Sequence, residues 1–72
     1  MDAFKLYWPV ITYQDKDKTV RKLSTPYGYT KYRDAKEAIQ FWSVDFHLRS
    51  ARIDVYDCSV FPIKKIRTYN LF

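Results

Sequence analysis

Asp34-Ala35-Lys36-Glu37-Ala38-Ile39-Gln40-Phe41-Trp42-Ser43-Val44-Asp45-Phe46-His47-Leu48 is the segment on which the fold turns. Ala35, Ala38, Ile39, Trp42 and Phe46 recur at helical spacing and share one face. Asp34, followed three residues later by Glu37, matches a capping box in its Asp form, in which each side chain satisfies the other residue's free backbone N–H. The spacing predicts a helix from about Ala35 to Leu48. A second stripe, Phe41, Val44 and Leu48, flanks the first, so this helix is expected either to pack against two layers or to offer one stripe to a partner.

Upstream of the helix the period changes from helical to alternating. Phe4 to Tyr13 reads as a strand with Phe4, Leu6, Trp8 and Val10 on one face and Tyr7, Ile11 and Tyr13 on the other. Pro9 has no N–H to give a ladder, which points to an edge strand or a bulge. Gln14 to Lys18 is a polar turn, and Thr19 to Ser24 is the second strand of a hairpin. In Pro26-Tyr27-Gly28 the lone glycine is expected to supply a positive φ for a turn. Downstream, Arg52 to Asp57 reads as a strand with Ile53 and Val55 on one face and Arg52, Asp54 and Tyr56 on the other. Pro62 interrupts the next stretch, and Lys64 to Leu71 reads as the last strand. The order ββαββ implies an α+β domain over residues 1–72, a small antiparallel sheet with one helix packed on one face. Leu6, Trp8, Val10, Ile39, Trp42, Phe46, Ile53 and Val55 are the expected core.

Tyr29 to Trp42, where a Thr and a Tyr precede an acidic, Ala-rich helix, resembles the small sheet-plus-helix domains that begin many phage integrases. The third strand those domains carry before the helix is not evident here, and no family is assigned.

Composition bounds the function. The 72 residues include seven Tyr, five Phe and two Trp against one Gly, with a formal net charge of +5. A pI near 9.4 is in the range that flags nucleic-acid binding. One cysteine, Cys58, excludes an internal disulfide and fits a reducing cytoplasm. Met1 to Lys5 lacks the basic-then-apolar pattern of a signal peptide, and no apolar run approaches the ~20 residues that cross a bilayer. A cytoplasmic protein with no membrane association is the expectation.

No catalytic, metal or cofactor motif is present. Cys58 and His47 are the only thiol and imidazole, and a nucleophile needs a base and a third, orienting group. A structural zinc site wants four ligands of those types. Asp15 and Asp17 lie among lysines in a turn, and Asp54 and Asp57 near a strand end, so solvated-turn and strand-edge roles are expected rather than the buried setting of catalytic carboxylates. The chain is read as non-enzymatic, without metal or cofactor.

Ten of the 13 basic residues cluster in three places: Lys16, Lys18, Arg21 and Lys22; Lys31, Arg33 and Lys36; Lys64, Lys65 and Arg67. Tyr27, Tyr29 and Tyr32 interleave with the second. Cations for phosphates and rings for bases are what single-stranded nucleic acid requires. Arg21, Lys22, Tyr27, Tyr29, Lys31, Tyr32, Arg33, Lys64, Lys65 and Arg67 are therefore the candidate binding residues, for nucleic acid or a nucleoprotein. The competing structural reading is that the tyrosines close one end of the core. The alternative function is a phage- or mobile-element-type inhibitor of a host protein such as a defence nuclease, because Tyr, Trp and Arg also dominate interface hot spots.

Overall fold

A computed structural model describes residues 4–71; the reading of Met1 to Ala3 as free of a leader, and Phe72, lie outside them. The chain forms β1 (Lys5–Gln14), β2 (Val20–Ser24), α1 (Tyr32–Asp45), β3 (His47–Asp57) and β4 (Lys64–Asn70). The strands make one antiparallel sheet in the order β2-β1-β3-β4. The α+β class and the ββαββ order are as the sequence implies.

α1 packs across β1 and β3. Ile11, Ala35, Ile39, Ala51 and Ile53 form the buried centre, and Tyr7, Tyr13, Leu23, Tyr29, Tyr32, Trp42, Leu48, Tyr69 and Leu71 pack around it. Pairing of Tyr7 with Val55, Pro9 with Ile53 and Ile11 with Ala51 puts these side chains on the helix side.

That register overturns the expected face of β1. Leu6, Trp8 and Val10 point away from the helix, because the buried centre takes the other alternating set; Val10 is nonetheless buried, as expected, at 6% exposed. Both sets are apolar, so alternation alone does not say which one meets α1. β1 is also a central strand rather than an edge. Pro9 is accommodated because its missing N–H points into the gap between the end of β2 and Tyr29. There the Pro9 carbonyl accepts the Ser24 hydroxyl instead (3.0 Å), and Tyr7 and Tyr29 exchange both backbone hydrogen bonds. The irregularity in β1 falls at Thr12/Tyr13, not at Pro9.

The helix begins and ends three residues before its expected bounds. Its N-cap is Lys31, which makes no side-chain cap, so the Asp34/Glu37 box does not form. Asp34 sits instead in the first turn, where a carboxylate favours the positive end of the helix dipole. Tertiary packing decides the start: the Tyr32 ring meets Tyr7 and Tyr69 edge-on, with centroids 6.2 and 5.1 Å away. At the other end Phe46 is the C-cap, its ring 4.5 Å from that of Tyr13. His47 and Leu48 already belong to β3, five residues before its expected start. The second helical stripe is thereby reduced to Phe41 and Val44, both exposed, while Leu48 packs on the core from the sheet.

Gly28 does not have positive φ; in the described residues Lys18, in the β1–β2 turn, is the one non-glycine that does (68°). Gly28 is required by space. A Cβ there would lie 2.8 Å from Cε3 of Trp8 and 2.9 Å from Cβ of Leu6.

Candidate nucleic-acid interface on the open sheet face

A single helix covers a single face, so the opposite face of the sheet is open. The accessible area, 5411 Å², exceeds the about 4,800 Å² expected of a compact protein of this mass. The molecule is correspondingly long, 47 × 21 × 20 Å. The open face holds a concavity of about 520 Å³ lined by Trp8, Val10, Lys22, Ser24, Arg52, Asp54, Tyr56, Ile63 and Lys65. Trp8 and Val10 on β1, with Arg52, Asp54 and Tyr56 on β3, make its floor. Lys22 and Ser24 on β2 form one wall, and Lys65 with Ile63 before β4 the other.

Two aromatic rings are held in place on this floor. Trp8 Nε1 donates to the Thr25 carbonyl (2.9 Å), which fixes the indole against the 25–29 segment. Tyr56 meets Trp8 edge-on at 5.6 Å between centroids and 80° between planes, a favoured aromatic geometry. Beside them lies Asp54, only 4% exposed. Both its oxygens accept from Nε of Arg52 (3.2 and 3.3 Å), and Oδ1 also accepts from Thr68 Oγ1 (3.0 Å). Lys65 Nζ stands 3.9 Å from Oδ2. Arg52 and Asp54 are two apart on one strand, so both side chains emerge on the same face. Three cations and one carboxylate around two rings leave the concavity positive.

The expected binding residues do not form one surface. Lys22 and Lys65, from separate basic groups, line opposite walls of the concavity. Lys64 opens β4 opposite Asp57 and is exposed. Arg67 lies on the helix side, its guanidinium 5.0 Å from the Tyr69 ring centre and Nη1 donating to the Tyr69 hydroxyl (3.1 Å). Arg21 is engaged at the hairpin turn, with Nε 2.8 Å from Asp15 and Nη2 3.7 Å from Asp17. Lys31 and Arg33 stand exposed at the helix start. The three tyrosines divide: Tyr29 and Tyr32 pack on the core, as the structural reading has it, and Tyr27 is 68% exposed.

Trp8, Arg52, Asp54 and Tyr56 line the concavity but were not among the residues expected from the sequence. The signal for three of them was present, because Arg52, Asp54 and Tyr56 alternate with the apolar Ile53 and Val55. Trp8 was hidden by its assignment to the core.

His47 opens β3 and Cys58 follows its end, about 35 Å apart along an extended strand, so the thiol and imidazole are not paired. Among the described residues no three His, Cys, Asp or Glu side chains gather as metal ligands, and no helix is long and apolar enough to cross a membrane. Comparison with family models, with curated proteins and with solved structures finds no match for this chain, so the site is read on its own chemistry.

Proposed function

We propose that this chain binds single-stranded nucleic acid, alone or within a nucleoprotein, on the open face of its sheet. Trp8 and Tyr56 offer rings to bases, and Lys22, Arg52 and Lys65 meet phosphates. The observation that carries this reading is that Lys22 and Lys65, distant in sequence, flank from opposite walls an aromatic pair on the one sheet face the helix leaves uncovered. Stacking is sequence-tolerant and the cations track the backbone, so weak base preference goes with strong salt dependence. Duplexes offer no unstacked bases to these rings and are expected to bind less well.

The direct test is fluorescence anisotropy with a labelled oligothymidylate of about ten nucleotides, a length within usual single-strand site sizes. Binding is expected at about 50 mM salt, weakening steeply as salt rises. Tyr56→Leu is expected to lose about 1–3 kcal/mol of affinity, the range for one stacked base. Lys22→Ala with Lys65→Ala is expected to flatten the plot of log affinity against log salt by about 1.4 if both contact phosphate. Absence of binding at low salt sinks the reading.

A second reading rests on a different surface. Phe41 and Val44 stand one helical turn apart, 71% and 82% exposed, on the side of α1 away from the sheet. A host-protein inhibitor would use such a pair as its anchor. Phe41→Ala abolishing capture of a protein partner, with oligonucleotide binding absent, would favour it.

A further inference from the structure

We infer that Arg52 is the arm of the concavity that grips a phosphate, and that the buried Asp54 is its positioning residue; this rests on the reading above and names the ligand as one nucleotide unit, a ring with its flanking phosphodiester. A carboxylate under a nucleic-acid surface is, by charge alone, in the wrong place. Removed from water, it is costly unless it is paired and hydrogen-bonded. The geometry shows what Asp54 does there. It holds Arg52 through Nε only, at 3.2 and 3.3 Å. Among the described residues neither Nη of Arg52 has a hydrogen-bond partner, so the guanidinium keeps its outer N–H donors for a ligand.

Support comes from both sides. Thr68 Oγ1, reaching from β4, donates to Asp54 Oδ1 and fixes the carboxylate plane. Arg52 pairs across the sheet with buried Val10, and its side chain is about one-third exposed (34%). A guanidinium already fixed loses little freedom on binding, and its planar fork matches the oxygens of a phosphate. Lys65, 3.9 Å from Oδ2, is too far for a hydrogen bond and adds charge rather than direction. Among the described residues around the concavity, the Nη atoms of Arg52 and the ammonium group of Lys22 have no partner, Lys65 is ion-paired with Asp54 at 3.9 Å, and the Tyr56 hydroxyl can donate or accept. They select a ligand rich in acceptors beside a planar ring. The volume, about 520 Å³, lies in the range of small-ligand sites and has room for one nucleotide unit of a longer strand.

Charge and position predict opposite signs, which makes the test sharp. Asp54→Asn removes a negative charge from a phosphate site, so electrostatics alone predicts tighter binding of the labelled oligothymidylate. Positioning predicts weaker binding, by about tenfold, as for loss of one well-placed Arg contact. Arg52→Lys keeps the charge but loses the fork, and is expected to weaken binding by about as much while leaving the salt slope unchanged. The double variant is expected to be no worse than either single one, because both remove one device. Thr68→Val, which unties the carboxylate without touching charge, is expected to weaken binding a few-fold and decides the matter if Asp54→Asn does not fold. The Nε–H resonance of Arg52 supplies a ligand-free readout. It is expected to be sharp and slow to exchange in the native chain and lost in Asp54→Asn. Equal or tighter binding by Asp54→Asn or Thr68→Val, or unchanged binding by Arg52→Lys, overturns the assignment while oligonucleotide binding itself stands. A native chain that binds no oligonucleotide overturns both.

Discussion

Trp8 lies against Gly28 so closely that there is no room for a side chain between them, and this contact, not a turn conformation, is what makes residue 28 a glycine. Gly28→Ala is expected to cost about 1–3 kcal/mol through overpacking and to displace the indole. Asn is tolerated where φ is positive, but at this position it is expected to be worse than Ala because it is larger. Melting curves of Gly28→Ala and Gly28→Asn, read with Trp8 fluorescence, check both. Asn melting above Ala would restore the turn explanation.

The core lies between α1 and the odd-numbered face of β1. Ile53→Ala, at a fully buried side chain, is expected to cost about 2–5 kcal/mol. Phe41→Ala, at a ring 71% exposed, is expected to stay within about 0.5 kcal/mol of the parent. Urea denaturation of the two variants measures the contrast. Comparable losses would mean that the outer face of α1 is covered.

The tyrosines around the glycine have different tasks, and single substitutions separate them. Tyr32→Ala removes a ring held edge-on by Tyr7 and Tyr69, and is expected to destabilise by about 3 kcal/mol or more. Tyr27→Ala is expected to leave the melting temperature unchanged, because that ring is mostly in solvent. Any effect of Tyr27→Ala is expected in affinity alone. The check is melting temperature and oligonucleotide affinity on the same two proteins.

Two carboxylates, the exposed Asp17 and the half-buried Asp57, hold turns and give the chain an acid-sensitive component. Asp57 accepts from the hydroxyl and the backbone N–H of Ser59, which hold its carboxyl below the ordinary value of 3.8. Asp17 is held below the same value by the backbone N–H of Thr19, then by that residue's side chain and the Arg21 charge. A group whose folded-state pKa is depressed stabilises fully above its unfolded value. Its contribution is therefore complete above pH 3.8 and fades as pH falls through the lower folded-state values. Stability measured by urea from pH 7 down to about 2 is expected to fall less steeply in Asp17→Asn/Asp57→Asn than in the parent. Equal acid slopes would show that these two groups are not linked to folding.

The class and order of elements were legible because each segment shows one clear period: alternating in β1 and β3, helical in α1. What was not legible has a common cause. Tyr7 and Tyr13 are apolar enough to be core and Trp8 is polar enough to line a surface, so alternation in β1 carried no sign. The Asp34/Glu37 pattern was sound local chemistry, but the edge-on packing of Tyr32 against Tyr7 and Tyr69 starts the helix earlier, and no local pattern encodes that contact. The site was half legible. Lys22 and Lys65 were visible as charges, whereas their flanking of Trp8 and Tyr56 depends on the β2-β1-β3-β4 order, which joins residues more than forty positions apart.

The two outer strands of the sheet are where an open-faced protein is most exposed to its own copies. β2 carries Arg21 and Lys22, and β4 carries Lys64, Lys65 and Arg67, so each free row of backbone N–H and C=O groups is guarded by like charge. Without those charges the edges would present Val20 and Ile66, each about half exposed, on strands able to accept a neighbour. Half of the candidate binding residues are therefore also placed to disfavour pairing of one molecule's edge with the next. Chemical neutralisation of these lysines is expected to promote edge-to-edge assembly.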